Sequence, residues 1–181
     1  MIRGRNIALR TIREGDLDTL LDTDNDHERR GPYVIHRLTT RPALEKEFRE
    51  NGLLTEDFGR LLIVDPDDRP LGTIVYFKPG HFMDAYELGY VLFETAERGR
   101  GITTEAVGLL ADWLFRVKKI GRIQLCMVPE NAASRRVAEK SGFQFEGVLR
   151  EAVYLNGASC DLEMWSLLRR EWEERRAAPS E

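Results

Sequence analysis

Residues 86–128 constrain the fold of this chain more than any other stretch. YELGYVLF (86–93) has the apolar, aromatic and β-branched character of a strand, and ETAERGRGIT (94–103) then sets two glycines among arginines. Val107, Leu110, Ala111, Leu114 and Val117 follow at helical spacing, while Glu105, Asp112, Arg116 and Lys119 fall between them. Gly121 ends this helix and IQLCMV (123–128) reads as the next strand. A strand, loop, helix and strand in this order form a right-handed crossover with a parallel strand pair. The chain is therefore α/β.

The flanking segments add antiparallel strands and further helices. IALRTI (7–12) reads as a first strand, residues 14–24 as a short amphipathic helix, and residues 41–50 as a second helix, capped by Thr40, with Pro42 in its first turn and Asn51-Gly52 at its end. LLIV (61–64) and TIVYF (73–77) flank a cluster of turn formers and predict a hairpin. Residues 132–141 predict a helix closed by Gly142, and two long strand-like runs turn at Asn156-Gly157. The expected fold is a mixed central sheet of about six to seven strands with helices on both faces. No repeat or linker divides it, so residues 1–176 read as one domain, with RREWEERRA as a fraying, solvated helical extension and residues 177–181 as a flexible tail.

Composition narrows the function classes. A net charge of −4 argues against a nucleic-acid protein that works by broad phosphate neutralisation, and no apolar run approaches the length that spans a bilayer. The basic start lacks a signal-peptide core, so a cytoplasmic protein is the default. Cys126 and Cys160 match no zinc or redox spacing and read as free, buried thiols; His27, His36 and His81 form no HExxH pairing, so no metal site is expected.

A glycine loop between a strand and a helix N-terminus presents unpaired backbone N–H groups beside the positive end of the helix dipole, an arrangement suited to phosphate. Alone, it reads equally as a glycine-rich turn with two solvated arginines. The GxxxxGK[ST] pattern is absent, and GxGxxG fails at Thr104 and lacks an acidic residue after IQLCMV. Q/R-x-x-G-x-G/A fits Arg98-Gly99-Arg100-Gly101-Ile102-Thr103 at every place but the last.

That last pattern is the pyrophosphate loop of the GCN5-related N-acetyltransferases. With ELGYVL, TEAVGLLADWLF, NAASRRVAEKSGF, EGVLRE and SLLRREW in order, the chain resembles their RimJ/RimL branch over residues 3–172. The resemblance implies acetyl-CoA as co-substrate, with pyrophosphate on the amides of Arg98, Gly99, Arg100, Gly101, Ile102 and Thr103. A threonine at 103 can cap the helix and offer its hydroxyl. The pantetheine arm would lie between two splayed strands, served by Val91 and by the Asn131 amide. Ser134 matches the branch position where a serine sits near the cofactor sulfur and is so implied as proton donor to the departing thiolate; the tyrosine that many relatives outside this branch use is Ala138 here. A strand N–H near Tyr90 or Val91 is the expected oxyanion donor, and Glu87 is preferred to Glu105 as general base.

The acceptor is an amine: a protein N-terminus, as the branch suggests, or a small molecule such as an amino acid, polyamine or antibiotic. A non-catalytic acyl-CoA-binding module is the alternative from another class. The acceptor wall is expected from His27, Glu28, Tyr33 and His36 and from Tyr154 on the last hairpin, and the acidic first helix could attract a cation, although a solvated face explains it as well. No nucleic-acid or membrane partner is expected, and relatives of this kind are often homodimers.

Overall fold

The computed structural model describes residues 1–80 and 83–177. Eight strands form one sheet in the order β1-β2-β3-β4-β5-β6-β8-β7: β1 (Ile2–Arg3), β2 (Ala8–Thr11), β3 (Phe58–Val64), β4 (Pro70–Phe77), β5 (Ala85–Leu92), β6 (Arg122–Met127), β7 (Gln144–Leu155) and β8 (Ala158–Leu168). Seven match expected strands; the eighth, β1, has two residues, too few to show a period in the sequence. All neighbours are antiparallel except β5 and β6, so the crossover unit supplies the one parallel pair.

Side-chain alternation along the sheet feeds two cores. Leu61 and Ile63 of β3 join Ile74, Leu88, Ile123 and Leu125 beneath α4 (Ile102–Val117), whose Ala106, Val107, Leu110 and Leu114 are all fully buried. Leu62 and Val64 point the other way, into a smaller core with Leu17 and Leu20 of α1 (Leu17–Asn25) and Leu44 of α3 (Arg41–Asn51). Helices thus cover both faces. Thr40 caps α3 by accepting from the Ala43 N–H, and Gly52 ends it in the left-handed region at φ 65°. Asn156 and Gly157, at φ 50° and 84°, make the tight turn between β7 and β8.

Three local readings change. Helix α4 stops at Val117, before Gly121, and Val117 is exposed, because the chain must already turn toward β6 there. The single-turn helix α2 (His27–Arg30) was not expected; Asp26 caps it through the Arg29 N–H and Gly31 ends it at φ 80°. The C-terminal helix α6 (Arg169–Ala177) is docked, not a solvated extension. Arg169 donates to the carbonyls of Phe115, Lys118 and Ile120, supplying partners around the C-terminal end of α4, while Trp172 stacks on Phe115 and donates to Asp112. The end of the tail and His81 lie outside the described residues. Among those residues, no helix is long and apolar enough to cross a membrane.

Candidate active site

The site begins where β5 and β6 part. They pair only through Ala85–Glu87 and Arg122–Gln124, so the remainder of each strand diverges and opens a notch in the sheet. Phe93 N–H donates to Leu71 O of the β4 side at 2.9 Å, in register with the β4–β5 ladder. Alternation along an antiparallel ladder then turns the Val91 N–H toward β4 and those of Tyr90 and Leu92 toward the notch. Val91 is among the residues that line the opening, and Tyr90 and Leu92 offer it free amides.

A cleft of about 320 Å³ runs from this notch along the glycine loop and α5 (Ala132–Lys140), lined among others by Tyr90, Val91, Arg98, Gly99, Gly101 and Asn131. Gly99 and Gly101 sit at φ 77° and 80°, and a Cβ at either would meet no protein atom within 4 Å. Gly101 is the N-cap of α4 without a side-chain cap, so the N–H groups of the first turn have no side-chain acceptor. Thr103 therefore stands inside the first turn and does not cap the helix. Ile102, Thr103 and Thr104 all border the cleft. Arg98 does too, whereas Arg100 turns away to pair with Glu97, which also takes Arg69 at 2.9 Å. Arg69, followed by Arg100, holds the Glu97 carboxyl below the usual carboxylate range despite its desolvation.

Helix α5 faces the cleft with Ala133, Ser134, Arg136, Val137 and Lys140. Asn131 caps it, accepting from the Ser134 N–H at 3.1 Å, so its oxygen is committed to the helix. Tyr90 lies against Ser134; burial pushes the phenol up, an effect that the Ser134 side chain partly offsets. Arg136 and Lys140 escaped the sequence reading, although their i, i+4 spacing after Ala133 is a legible signal of a shared face. Among the described residues, Arg98, Arg136 and Lys140 make no ion pair, in a chain where most arginines of the fold do.

Glu87 lies apart from the cleft lining, at the closed end of the notch. Its Oε2 accepts from Gln124 Nε2 at 2.8 Å and from Cys126 Sγ at 3.4 Å. Burial, then the Glu87 charge, pushes the Cys126 thiol up to about 12. Glu105 instead accepts from the backbone N–H groups of Arg5 and Asn6, pinning the β1–β2 turn on α4.

The expected wall residues divide. Tyr33 borders the main cleft and donates to Glu130 O at 3.3 Å. His27 and Glu28 line a separate shallow hollow, and the His27 ring stacks on His36 at 3.6 Å, where burial followed by His27 lowers the His36 imidazole. Tyr154 is 69% exposed on the last hairpin, although the adjoining Asn156 reaches Pro32 O at 2.9 Å. Of the six acids from Glu14 to Asp26, three are engaged in ion pairs: Asp16 with Arg10, Asp18 with Arg41, and Asp24 with both Arg30 and Arg60. Among the described residues, no group of three or more potential ligands gathers for a metal ion.

The sequence model described as the acetyltransferase (GNAT) domain matches residues 6–144. The chain is 36% identical over 124 residues to a probable N-acetyltransferase of Bacillus subtilis, YjcK, with 67% of each chain covered. It is 40% identical over 87 residues to a putative ribosomal N-acetyltransferase, YdaF, of the same organism, covering 48% of this chain and 47% of that protein. The matched part thus spans about half to two thirds of these relatives. Two solved structures share the fold. One is spermidine N-acetyltransferase from Vibrio cholerae with CoA and spermine, at TM-score 0.81, 18% identity and 93% and 98% coverage of the two chains. The other is RimL, a ribosomal L7/L12 α-N-protein acetyltransferase with coenzyme A, at TM-score 0.78, 23% identity and 92% and 97% coverage. With a splayed parallel pair, a glycine loop at the start of its crossover helix and a domain match over most of its length, the chain belongs to the GNAT family of N-acetyltransferases.

Proposed function

We propose that this enzyme moves the acetyl group of acetyl-CoA to the α-amino group of a protein or peptide N-terminus. The observation that supports the acceptor class is the 40% identity over 87 residues to a putative ribosomal N-acetyltransferase, and the cleft itself is rich in cations. Arg30, Arg98, Arg136 and Lys140 line it, and its one acid among the described residues, Glu97, is shared by Arg69 and Arg100. These cations suit the phosphates of the co-substrate.

The residues present fit the co-substrate. The cleft joins uncapped helix N–H groups and unpaired cations to a strand with free amides, which suits a diphosphate, its flanking phosphate and an extended amide-bearing arm. In this reading the amides of 99–103 and the Arg98 side chain take the pyrophosphate, the Arg98 N–H being held by Thr95 O; Arg136 and Lys140 take the remaining phosphate, and Asn131 and Val91 border the arm. Bound acetyl-CoA supplies an activated thioester.

In this reading the Tyr90 N–H stabilises the oxyanion. Ser134 Oγ–H donates its proton to sulfur as the C–S bond breaks, and the Tyr90 phenol, kept protonated by burial, stands behind it as a second donor. Glu87 receives the amine proton through water on Oε1, since Oε2 is held by Gln124 and Cys126. Its distance from the cleft lining is tolerable for this acceptor: an α-amine near pKa 7.8 costs about 3.5 kcal/mol less to deprotonate than a lysine near 10.4.

The acidic hollow of Asp22, Asp26 and Glu28 favours a second reading, a small cationic amine. Release of CoA thiol with a panel of free-N-terminus peptides, α-blocked lysine peptides and spermidine separates the two. Turnover with spermidine alone overturns the α-amine reading, and binding without thiol release for any amine leaves a non-catalytic acyl-CoA module.

A further inference from the structure

Behind the first turn of α5, on the side away from the cleft, a buried carboxylate collects three donors. Glu163 of β8 accepts from Arg135 Nη2 at 2.7 Å and Nε at 3.1 Å, and from Trp165 Nε1 at 3.1 Å. The same Arg135 Nη2 donates to Pro129 O at 2.9 Å. Burial opposes ionisation of Glu163, yet the bonds from Arg135 and Trp165 outweigh it and hold the carboxyl below the usual range. Register places Glu163 opposite Met127, the last residue of β6.

The turn from Val128 to Asn131 is thereby fixed from two sides. Arg135 takes its Pro129 carbonyl from behind, and Tyr33 takes its Glu130 carbonyl from the acceptor wall. Asn131 then hands the position on to the Ser134 N–H through the cap. Ser134 and Arg135 are adjacent, about 100° apart around the helix, so anchoring one sets the direction of the other. Helix α5 has nine residues, of which only Ala138 is fully buried. Ala138 and the partly buried Val137 are its apolar contacts with the core, and a two-nitrogen ion pair adds directional definition to so narrow a face.

We infer that Arg135 and Glu163 are positioning residues: their pair sets the azimuth of α5 so that Ser134 faces the divergence of β5 and β6 beside Tyr90, and so supports proton transfer without touching either substrate. This rests on the Ser134 assignment above. A serine that is a weak acid depends strongly on alignment, and displacement of a reacting group by about 1 Å can cost on the order of 100-fold in rate.

The test compares Arg135→Ala, Arg135→Lys, Glu163→Gln and Ser134→Ala with the pair Arg135→Ala/Ser134→Ala in the full chain. Thermal melts report folding, and calorimetry with CoA reports cofactor affinity. Arg135→Ala is expected to lower kcat about 10- to 100-fold while the CoA affinity stays within about threefold. Arg135→Lys recovers little, because one ammonium cannot hold Glu163 and Pro129 O in the same fork. Glu163→Gln keeps the shape and loses the charge; it is expected to lower kcat in the same direction. The double variant is expected to be no slower than Ser134→Ala, since both changes remove one contribution.

A fall in kcat for Ser134→Ala with unchanged kcat for Arg135→Ala overturns the positioning role and leaves the serine assignment standing. Wild-type kcat in Ser134→Ala overturns the serine assignment and, with it, the route through Ser134. Multiplicative losses in the double variant, or losses in CoA affinity that match those in kcat, assign the pair to general stability and overturn the inference.

Discussion

Replacing Gly101 by alanine separates folding from cofactor binding at one atom. Gly101 holds φ 80° and ψ −1°, a left-handed conformation that costs an L-residue about 1–2 kcal/mol. Alanine also restricts the unfolded chain, which returns about 0.4–1 kcal/mol. The new methyl would touch no protein atom within 4 Å, so no steric cost is added. The net loss is then about 0–1.6 kcal/mol, a fall in Tm of up to about 6 °C for a chain of this size. Yet the residue borders the cleft at the uncapped start of α4, where the methyl would stand between a phosphate and the amides of the first turn. Losing one or two charge-assisted hydrogen bonds at about 1.5–3 kcal/mol each weakens CoA binding by at least about tenfold. Differential scanning fluorimetry and titration calorimetry with CoA read the two effects independently. Wild-type CoA affinity in Gly101→Ala would refute the placement of the pyrophosphate, and a melt lowered by more than about 8 °C would refute the local strain estimate.

Other perturbations test other parts of the account. Arg136→Ala/Lys140→Ala should weaken CoA more than dephospho-CoA and reduce the salt dependence of binding; equal losses for both ligands would remove these residues from the outlying phosphate. Asp16→Asn breaks a buried pair with Arg10, which keeps Asp68, so a loss of about 2–4 kcal/mol is expected in urea melts near neutral pH. Burial opposes the Asp16 charge but Arg10 and the Arg13 N–H overcome it, so its folded pKa lies below 3.8. Its stabilisation is complete above that value and fades as pH falls through the folded one, so the gap between wild type and Asp16→Asn should close in acid and stay constant above about pH 5. Cys126, with its thiol pushed up to about 12, should react with a disulfide reagent far more slowly than a free cysteine near about pH 8. Glu87→Gln should speed it only modestly, because burial is the larger cause; a fast Cys126 in the wild type would contradict the closed end of the notch.

The crossover unit was legible because its signals are local. A strand run, glycines that permit positive φ and a helical apolar stripe each act over a few residues, and together they specified β5, α4, β6 and the loop between them. The chemistry of neighbouring strands was not local. Nothing in 86–93 tells that Tyr90 has a free N–H and Val91 does not, since this follows from register with β4. Arg100 and Arg98 look equivalent in sequence, and only the fold brings Glu97 and Arg69 to one of them. The ion pairs of the acidic run were hidden for the same reason: the arginine partners come from residues 10, 30, 41 and 60. The docked C-terminal helix was missed because its polar sequence hides Trp172 and Arg169, whose partners lie around residues 112–120.

The central claim, acetyl transfer to an N-terminal α-amine, is tested most directly by locating the new acetyl group. Purified enzyme, acetyl-CoA and a peptide bearing both a free N-terminus and an internal lysine are incubated, and tandem mass spectrometry reads the modified nitrogen. The expected product carries acetyl on the α-nitrogen, and it is lost when the N-terminus is blocked. Acetyl on the lysine side chain, or turnover only when spermidine replaces the peptide, would contradict it.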